Sequence, residues 1–526
     1  MVSRIIAGLL AGALVFAQVP PPMASSPVIK TTSRLVNVNV IAVDKKGNPV
    51  RDLKREDFVL TDNGAARPIS LFSLEAADGS AAPVDAAKVT PGTFTNRVEQ
   101  SASAVTIFLM DGLNTDMEDQ TFAKSDLLKY LKEVPPNDRV ALFALNRELL
   151  LVHDFTTNIQ ALLDAVQRQK PRINQEVAET EPTAATYPDP VVRFMLNNSN
   201  QKMADFTAEI RATSTAAALE AIAAHCARVP GRKNLVWISG GFPMALGFGE
   251  RRANNHRTFN SEEDRAIRAL NDADIAVYPV DARRLQTQSV SDVTGALATP
   301  LSKRGQTQAI AQGVKEDPNF QPMEELAAGT GGRPFHNIND LGAAMKTAVN
   351  DARVSYALAF SPAADAIDGK YHTIKLQVKR PGVQIRYREG YVAYPDPPQV
   401  SLAQAIASPA DFTGVGITVN LKPAPGGVYA TFNFDAKDLT IEKRGDHYAV
   451  SLEMMMVTGK LTAKSKPTPI TLTITADTRD RVMKEGLMMG MNLKAPPGPV
   501  TYHVGVRDVA SGAVGTLHLV KDQGQR

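Results

Sequence analysis

The sequence predicts an α/β fold class: a doubly wound, mostly parallel sheet inserted in a β-sandwich, followed by a C-terminal all-β sandwich domain. Three observations predict it. Four short, near-continuous apolar runs, "AVTIFLM" (104–110), "RVALFAL" (139–145), "NLVWIS" (234–239) and "DIAVYPV" (274–280), alternate with segments of helical spacing, as strands buried on both faces do in a sheet covered by helices. On both flanks of that region the apolar residues recur with period two, the mark of strands with one wet face. Beyond Gln399 the helical spacing fades and short alternating runs are separated by Gly, Pro and Asp, the pattern of a second sandwich.

The chain opens with a basic residue, Arg4, then an apolar core, Ile5 to Phe16, and a small residue at Ala17. This reads as a secretory signal peptide, 1–17, because the apolar stretch is short of the ~20 residues that a spanning helix needs. The expected localisation is therefore exported, with periplasm, cell surface and medium all open. No later run of 18 apolar residues predicts a transmembrane segment. In the flank at 28–76, Val36, Val38 and Val40 oppose Asn37, Asn39 and Ile41; turns are expected at Asp44 to Asn48 and at Asp62-Asn63-Gly64, with short strands at 57–61 and 68–74. The second flank, 353–394, alternates at Tyr356, Leu358 and Phe360 and again at Ile374, Leu376 and Val378, around an Asp368-Gly369 turn. Neither flank closes a core alone, so the expectation is one sandwich assembled from both, with residues 100–352 inserted.

Within the insert, helices are expected over 116–134, 157–169, 205–228, 261–272 and 340–351; Ala123, Leu127, Tyr130, Leu131 and Val134 form the stripe of the first. Two polar insertions, about 170–204 and 242–260, exceed ordinary loop lengths and read as candidate binding loops or mobile segments. The C-terminal domain, 398–526, carries strand patterns at 416–421, 428–434, 448–456, 470–476, 500–506 and 515–520.

Composition sets limits on function. The 526 residues are 44% hydrophobic and 21% charged, a globular balance, and a net charge of +3 gives no drive toward nucleic acid. One cysteine, Cys226, excludes an intrachain disulfide; it shares a helix face with Leu219 and Ile222, which predicts a buried thiol. The eight histidines lack paired spacing for zinc. "AGTGGRPF" (328–335) lacks the Lys-Ser/Thr of a phosphate loop and reads as a turn into a strand. Ser239 in "WISGG" has no glycine two residues before it, so it is not a nucleophile elbow. Arg444-Gly445-Asp446 reads as turn chemistry, and "EMMMV" (453–457) and "GLMMGMNL" (486–493) as core.

The strongest candidate site is the corner where "TIFLMDGLNTDMEDQ" (106–120) passes from strand to helix at Asp111, since ligands of open parallel sheets gather at the carboxyl ends of strands. An apolar strand ending in Asp, a helix, two strands, the helix start "TSTAAAL" and the strand "NLVWISGG" resemble a von Willebrand factor A-type (VWFA) domain. "PGRKNLVWISGGFP" (230–243), "GNPVRDLKREDFVLTDNG" and "IKLQVKRPGVQIRYREGY" are similar to the VWFA-related family of exported bacterial proteins. The resemblance spans roughly residues 30 to 395. It implies a Rossmann-like fold for the insert and a metal-ion-dependent adhesion site holding Mg²⁺ or another divalent cation. Mapped onto this chain, that site takes Asp111, Thr115 and Thr213 as metal ligands, with Asn114, Asp116 and Ser239 as neighbouring positions. Two places depart from the family pattern: Leu113 and Ser239 stand where a hydroxyl and a second carboxylate belong. Mg²⁺ sheds water reluctantly and favours carboxylates, so the site reads as degenerate and any cation as weakly held. The competing reading makes Thr115-x-x-Glu118 a capping box at a helix start.

The functional expectation is an exported, non-enzymatic protein-binding or adhesion module with no catalytic residues and a protein partner. The alternatives are a structural cell-envelope scaffold with a vestigial site, or an envelope hydrolase using the pocket of Asp111, Thr213 and Ser239.

Overall fold

The computed structural model describes residues 35–76, 93–96, 104–172, 189–242, 262–283, 321–336, 338, 340–351, 353–363, 368–393, 400–425, 427–458, 466–494 and 500–521. The expected signal peptide and, of the two expected insertions, residues 173–188 and 243–260 lie outside them.

The first strands are β1 (Val36–Val43), β2 (Phe58–Asp62), β3 (Ala65–Arg67) and β4 (Leu71–Ala76). β1 buries Val36, Val38 and Val40 and exposes Asn37, as its alternation dictates. Asn63 and Gly64 both take positive φ, 49° and 84°, the left-handed pair that a two-residue hairpin between β2 and β3 requires. β5 (Thr93–Thr95) precedes the central region of β6 (Val105–Asp111), α1 (Met117–Leu131), β7 (Arg139–Leu145), β8 (Leu149–Thr156), α2 (Ile159–Arg168) and α3 (Pro190–His225). That region continues with β9 (Lys233–Ser239), α4 (Glu262–Asp272), β10 (Ile275–Asp281), α5 (Gln321–Thr330) and α6 (Leu341–Asp351). Next come β11 (Val354–Phe360), β12 (Tyr371–Val378), β13 (Gln384–Arg386) and β14 (Gly390–Val392). The C-terminal part holds α7 (Leu402–Ala407), β15 (Ile417–Ala424), β16 (Gly427–Phe434), β17 (Glu442–Arg444), β18 (His447–Thr458) and β19 (Thr468–Ile474). It ends with α8 (Ala476–Glu485), β20 (Leu487–Lys494), β21 (Val500–Asp508) and β22 (Val514–Lys521).

Strand pairing corrects the expected fold class. The described chain is mostly antiparallel and divided among several small sheets, not an α/β fold organised by a doubly wound parallel sheet. The sheets β13-β1-β11-β4, β14-β12-β2-β3, β20-β16-β15-β5 and β17-β18-β21-β22 contain antiparallel pairs. Only β10–β9, β9–β6 and β6–β7 run parallel among the described strands, and their sheet, β10-β9-β6-β7-β8, is mixed because β8 is antiparallel to β7. The physical reason is twofold. Apolar runs report burial on both faces and say nothing of direction, and three residues between β7 and β8 are too few for the crossover that a parallel neighbour requires.

Strands far apart in sequence share sheets: β1 and β4 both pair with β11, and β2 pairs with β12. Their inward residues, among them Val38, Leu60, Tyr356 and Leu376, form one core. The mixed sheet has its own two cores. Ile107 and Leu109 of β6 pack with Leu219 and Ile222 of α3 and Leu270 of α4, while Phe108 packs with Leu127 of α1, Val166 of α2 and Met345 of α6.

Two segments differ from expectation. α3 begins at Pro190, so residues 190–204 of the expected polar loop are helix; Asp189 caps it, accepting from the Val191 and Val192 amides at 2.8 and 3.4 Å. The C-terminal sandwich also takes in β5 from far outside 398–526. Asn96 fastens that segment, accepting from the Ile417 amide at 2.6 Å and sharing its side-chain amide among the carbonyls of Phe412, Val415 and Thr516.

Candidate functional site

In the mixed sheet β6 lies between β9 and β7, and the register sets Asp111 beside Leu145 and Met110 beside Ile238. Three strand ends therefore meet at one edge. The Leu145 carbonyl accepts from the Gly112 and Leu113 amides at 2.7 and 3.1 Å, which turns the chain sharply after Asp111. Asp111 is buried, and its carboxylate accepts five hydrogen bonds: Oδ1 from the Leu113 and Asn114 amides at 3.1 and 3.0 Å, and Oδ2 from Asn114 Nδ2 at 2.9 Å, Trp237 Nε1 at 3.0 Å and Ser239 Oγ at 2.8 Å. Burial pushes this carboxyl above the usual carboxylate range, with the hydrogen bonds from Asn114, Ser239 and Trp237 acting in the opposite sense.

The predicted site residues do not all converge here. Asp111, Asn114 and Ser239 are directly bonded, and Thr115 joins through its hydroxyl, which accepts from the Gly240 amide at 2.9 Å. Thr213 is exposed on α3 and does not enter; Thr215, two residues on, is buried and accepts from Asn114 Nδ2 at 3.0 Å. Helical phase accounts for the difference, since Thr215 stands four residues before Leu219 on the buried face. Asp116 is exposed as the N-cap residue of α1, without a side-chain cap bond, so the Thr115-x-x-Glu118 capping box does not form.

Sequence reading missed Trp237 and Gln120. Trp237, the single tryptophan, is fully buried with its indole N–H on the carboxylate, and a lone Trp two residues before a strand-end serine was the available signal. Gln120 donates to the Thr115 carbonyl at 2.7 Å and exchanges bonds with the backbone of Arg172, which ties the α1 start to the chain after α2. Gly240 has a steric reason: a Cβ there would stand 2.9 Å from the Asn114 carbonyl oxygen. Beside the carboxylate lies a small cavity of about 40 Å³, lined by Met110, Gly112, Gln120, Lys124, Asn146 and Ile238.

These residues do not fit a hard dication. Both oxygens of Asp111 face N–H and O–H donors, where a cation would have to displace the indole of Trp237 and the amide of Asn114. Leu113 offers no oxygen from its side chain, and Thr213 is elsewhere. Asn114 Oδ1 is the one buried side-chain acceptor of the cluster left over, too little for a six-coordinate ion. Among the described residues, no group of three His, Cys, Asp or Glu is placed to hold a metal. Ser239 has no exposed surface, and its hydroxyl lies 2.8 Å from both Asp111 Oδ2 and the Gly241 carbonyl, turned into the protein and away from solvent.

The remaining motifs are structural. Thr330 of "AGTGGRPF" ends α5 and accepts from the Val277 amide at 3.0 Å, and Gly331 at φ 75° reverses the chain. Gly445 turns the β17–β18 hairpin, where Arg444 pairs with Glu442 at 3.0 Å. Met454 and Met455 are buried, whereas Met488 is 57% exposed. Cys226 is buried at the end of α3, and burial pushes its thiol up to about 12. No described helix is long and apolar enough to cross a membrane.

No family model matches the chain, and no curated protein matches it. Among solved structures the chain is similar to "an aerotolerance-related membrane protein from Bacteroides fragilis NCTC 9343 with multiple mutations to serines", at 13% identity and a TM-score of 0.24, over 47% of this chain and 99% of that one.

Proposed function

We propose that this chain is an exported, non-enzymatic protein-binding component, similar in its motifs to VWFA-related proteins, whose strand-end cluster works without a metal. The observation carrying this reading is the saturation of Asp111: five internal donors occupy the carboxylate that an adhesion-site cation or a reaction would need. A hydrolase reading loses its nucleophile with the burial of Ser239. The cluster instead fixes the three strand ends and the α1 start as a rigid rim for a protein partner, with Lys124, Asn146 and Gln120 at the adjoining cavity.

Trp237 reports on the test. Millimolar Mg²⁺ or Mn²⁺ is expected to give no calorimetric heat and no change in tryptophan emission. Binding that is present in the wild type and lost in Asp111→Ala overturns the metal-free reading, and turnover of an ester or peptide lost in the same variant overturns the non-enzymatic one.

A further inference from the structure

The N-terminal half of α3 carries large apolar side chains into water. Val191, Val192, Phe194, Met195, Met203, Phe206 and Ile210 are between 38% and 68% exposed. All but Phe194 fall within about 120° of the helix circumference, and Phe194 borders that arc. Together they leave roughly 700 Å² of largely apolar surface exposed, above the ~300–600 Å² of the largest patch on an ordinary monomer and near the ~800 Å² per partner of a standard interface.

We propose that this stripe is a homodimer interface, in which α3 packs antiparallel against α3 of a second copy across a two-fold axis near Gln201. The spacing is self-complementary. Val192, Met195, Ser199, Met203, Phe206 and Ile210 recur at steps of three and four, and reversal about residue 201 sets Val192 against the partner's Ile210 and Ser199 against the partner's Met203, an isologous seam. The exposed charges at its edge among the described side chains, Lys202, Asp205 and Glu209, are mixed in sign with acids in excess, unlike the Lys/Arg-rich border of a helix that lies on an anionic membrane. The area matches what one copy must contribute to a stable pair. The seam is independent of the strand-end cluster, so its failure and that of the metal-free reading are separable.

Sedimentation velocity of the full chain at micromolar concentration is expected to give twice the 56.6 kDa of one copy. Met203→Glu with Phe206→Glu halves that mass without changing the circular dichroism, because both side chains are exposed. Ser199→Cys with Met203→Cys gives a covalent dimer on mild oxidation, with Cys226 buried and inert. A monomeric wild type, a dimer that survives the double glutamate variant, or failure of the cysteine variant to crosslink overturns the proposal. A monomer that pellets with anionic vesicles, and stops doing so in the glutamate variant, overturns it in favour of a lipid surface.

Discussion

Removing the Asp111 carboxylate leaves the Trp237 indole, the Asn114 amide, the Ser239 hydroxyl and two backbone amides facing an empty space that water reaches poorly. Each unsatisfied buried donor costs about 1–3 kcal/mol before relaxation, so Asp111→Ala is expected to lower stability by about 3 kcal/mol in urea unfolding. A loss below about 0.5 kcal/mol, the range of an ordinary surface substitution, would remove the cluster from the account of the fold. At the far end of α3, His225 makes a second residue-scale prediction. Its Nδ1 lies 2.7 Å from the Asp411 carbonyl and its Nε2 2.9 Å from Asp154 Oδ1. Neither partner donates, so both ring nitrogens carry protons, and the ring stacks on Phe155 at 6.0 Å. Burial works against the charged ring, but the hydrogen bond and charge of Asp154 with the Asp411 carbonyl prevail, and the His225 pKa is raised. Asp154, despite the opposing effect of burial, is lowered by His225. Because the folded pKa of His225 is raised, its stabilisation is complete below the ordinary histidine value and disappears as pH rises through the folded one. Melting temperature is therefore expected to fall on the alkaline side of neutrality and to lose that slope in His225→Gln. Asp154 is 57% exposed, so water screens the pair and the change is modest.

At the scale of elements, β5 shows how a short edge strand is held. Three residues make few ladder bonds, and Asn96 supplies the rest by satisfying backbone groups of three separate segments around β15 and β22. Asn96→Ala leaves those buried groups unpaired, and hydrogen exchange at β5 and the neighbouring amides of β15 is expected to rise by more than tenfold, with a loss of about 2 kcal/mol. Unchanged protection would mean that the ladder alone retains β5. The length of α3 illustrates the limit of polarity as a loop signal. Residues 190–204 read as part of a polar insertion because residues 197–202 are an unbroken polar run, NNSNQK, yet Asp189 and Pro190 are ordinary helix-start residues.

The whole described molecule from Leu35 onward is one compact unit. Its C-terminal sandwich is fastened to the end of α3 by the Thr413 amide on the Ala224 carbonyl at 3.2 Å, the Thr413 hydroxyl on the His225 carbonyl at 3.0 Å and an Arg228–Asp438 ion pair at 2.7 Å. Arg228 also donates to the Gly414 carbonyl at 2.9 Å. Calorimetry of the wild type is expected to show one transition. Arg228→Ala with Thr413→Val is expected to split it in two, since the sandwich retains its own core around Phe432, Val450 and Leu519. A single transition in the double variant would show that strand β5 and the other contacts couple the parts without this joint.

The sequence by itself determined where most strands and several helices lie, many of the residues that enter the core and the corner at Asp111, but not the first turns of α3, strand β5 or helices α5 and α8. Period two at Val36, Val38 and Val40, the apolar run before Asp111, and turn pairs such as Asn63-Gly64 are local properties, written by each residue's solvent preference and backbone freedom. Sheet membership depends on partners hundreds of residues away, as in the pairings of β1 with β11 and of β5 with β15, whereas the antiparallel return of β8 follows from the three residues that join it to β7. The candidate site divides in the same way. Asp111 was legible because a carboxylate closing an apolar strand is anomalous, whereas its occupation by Trp237, Asn114 and Ser239 follows only when β6 and β9 are adjacent and α3 presents Thr215. Only the tertiary structure decided that the carboxylate is spent inside the protein, because hydrogen bonds are counted in space and not along the chain.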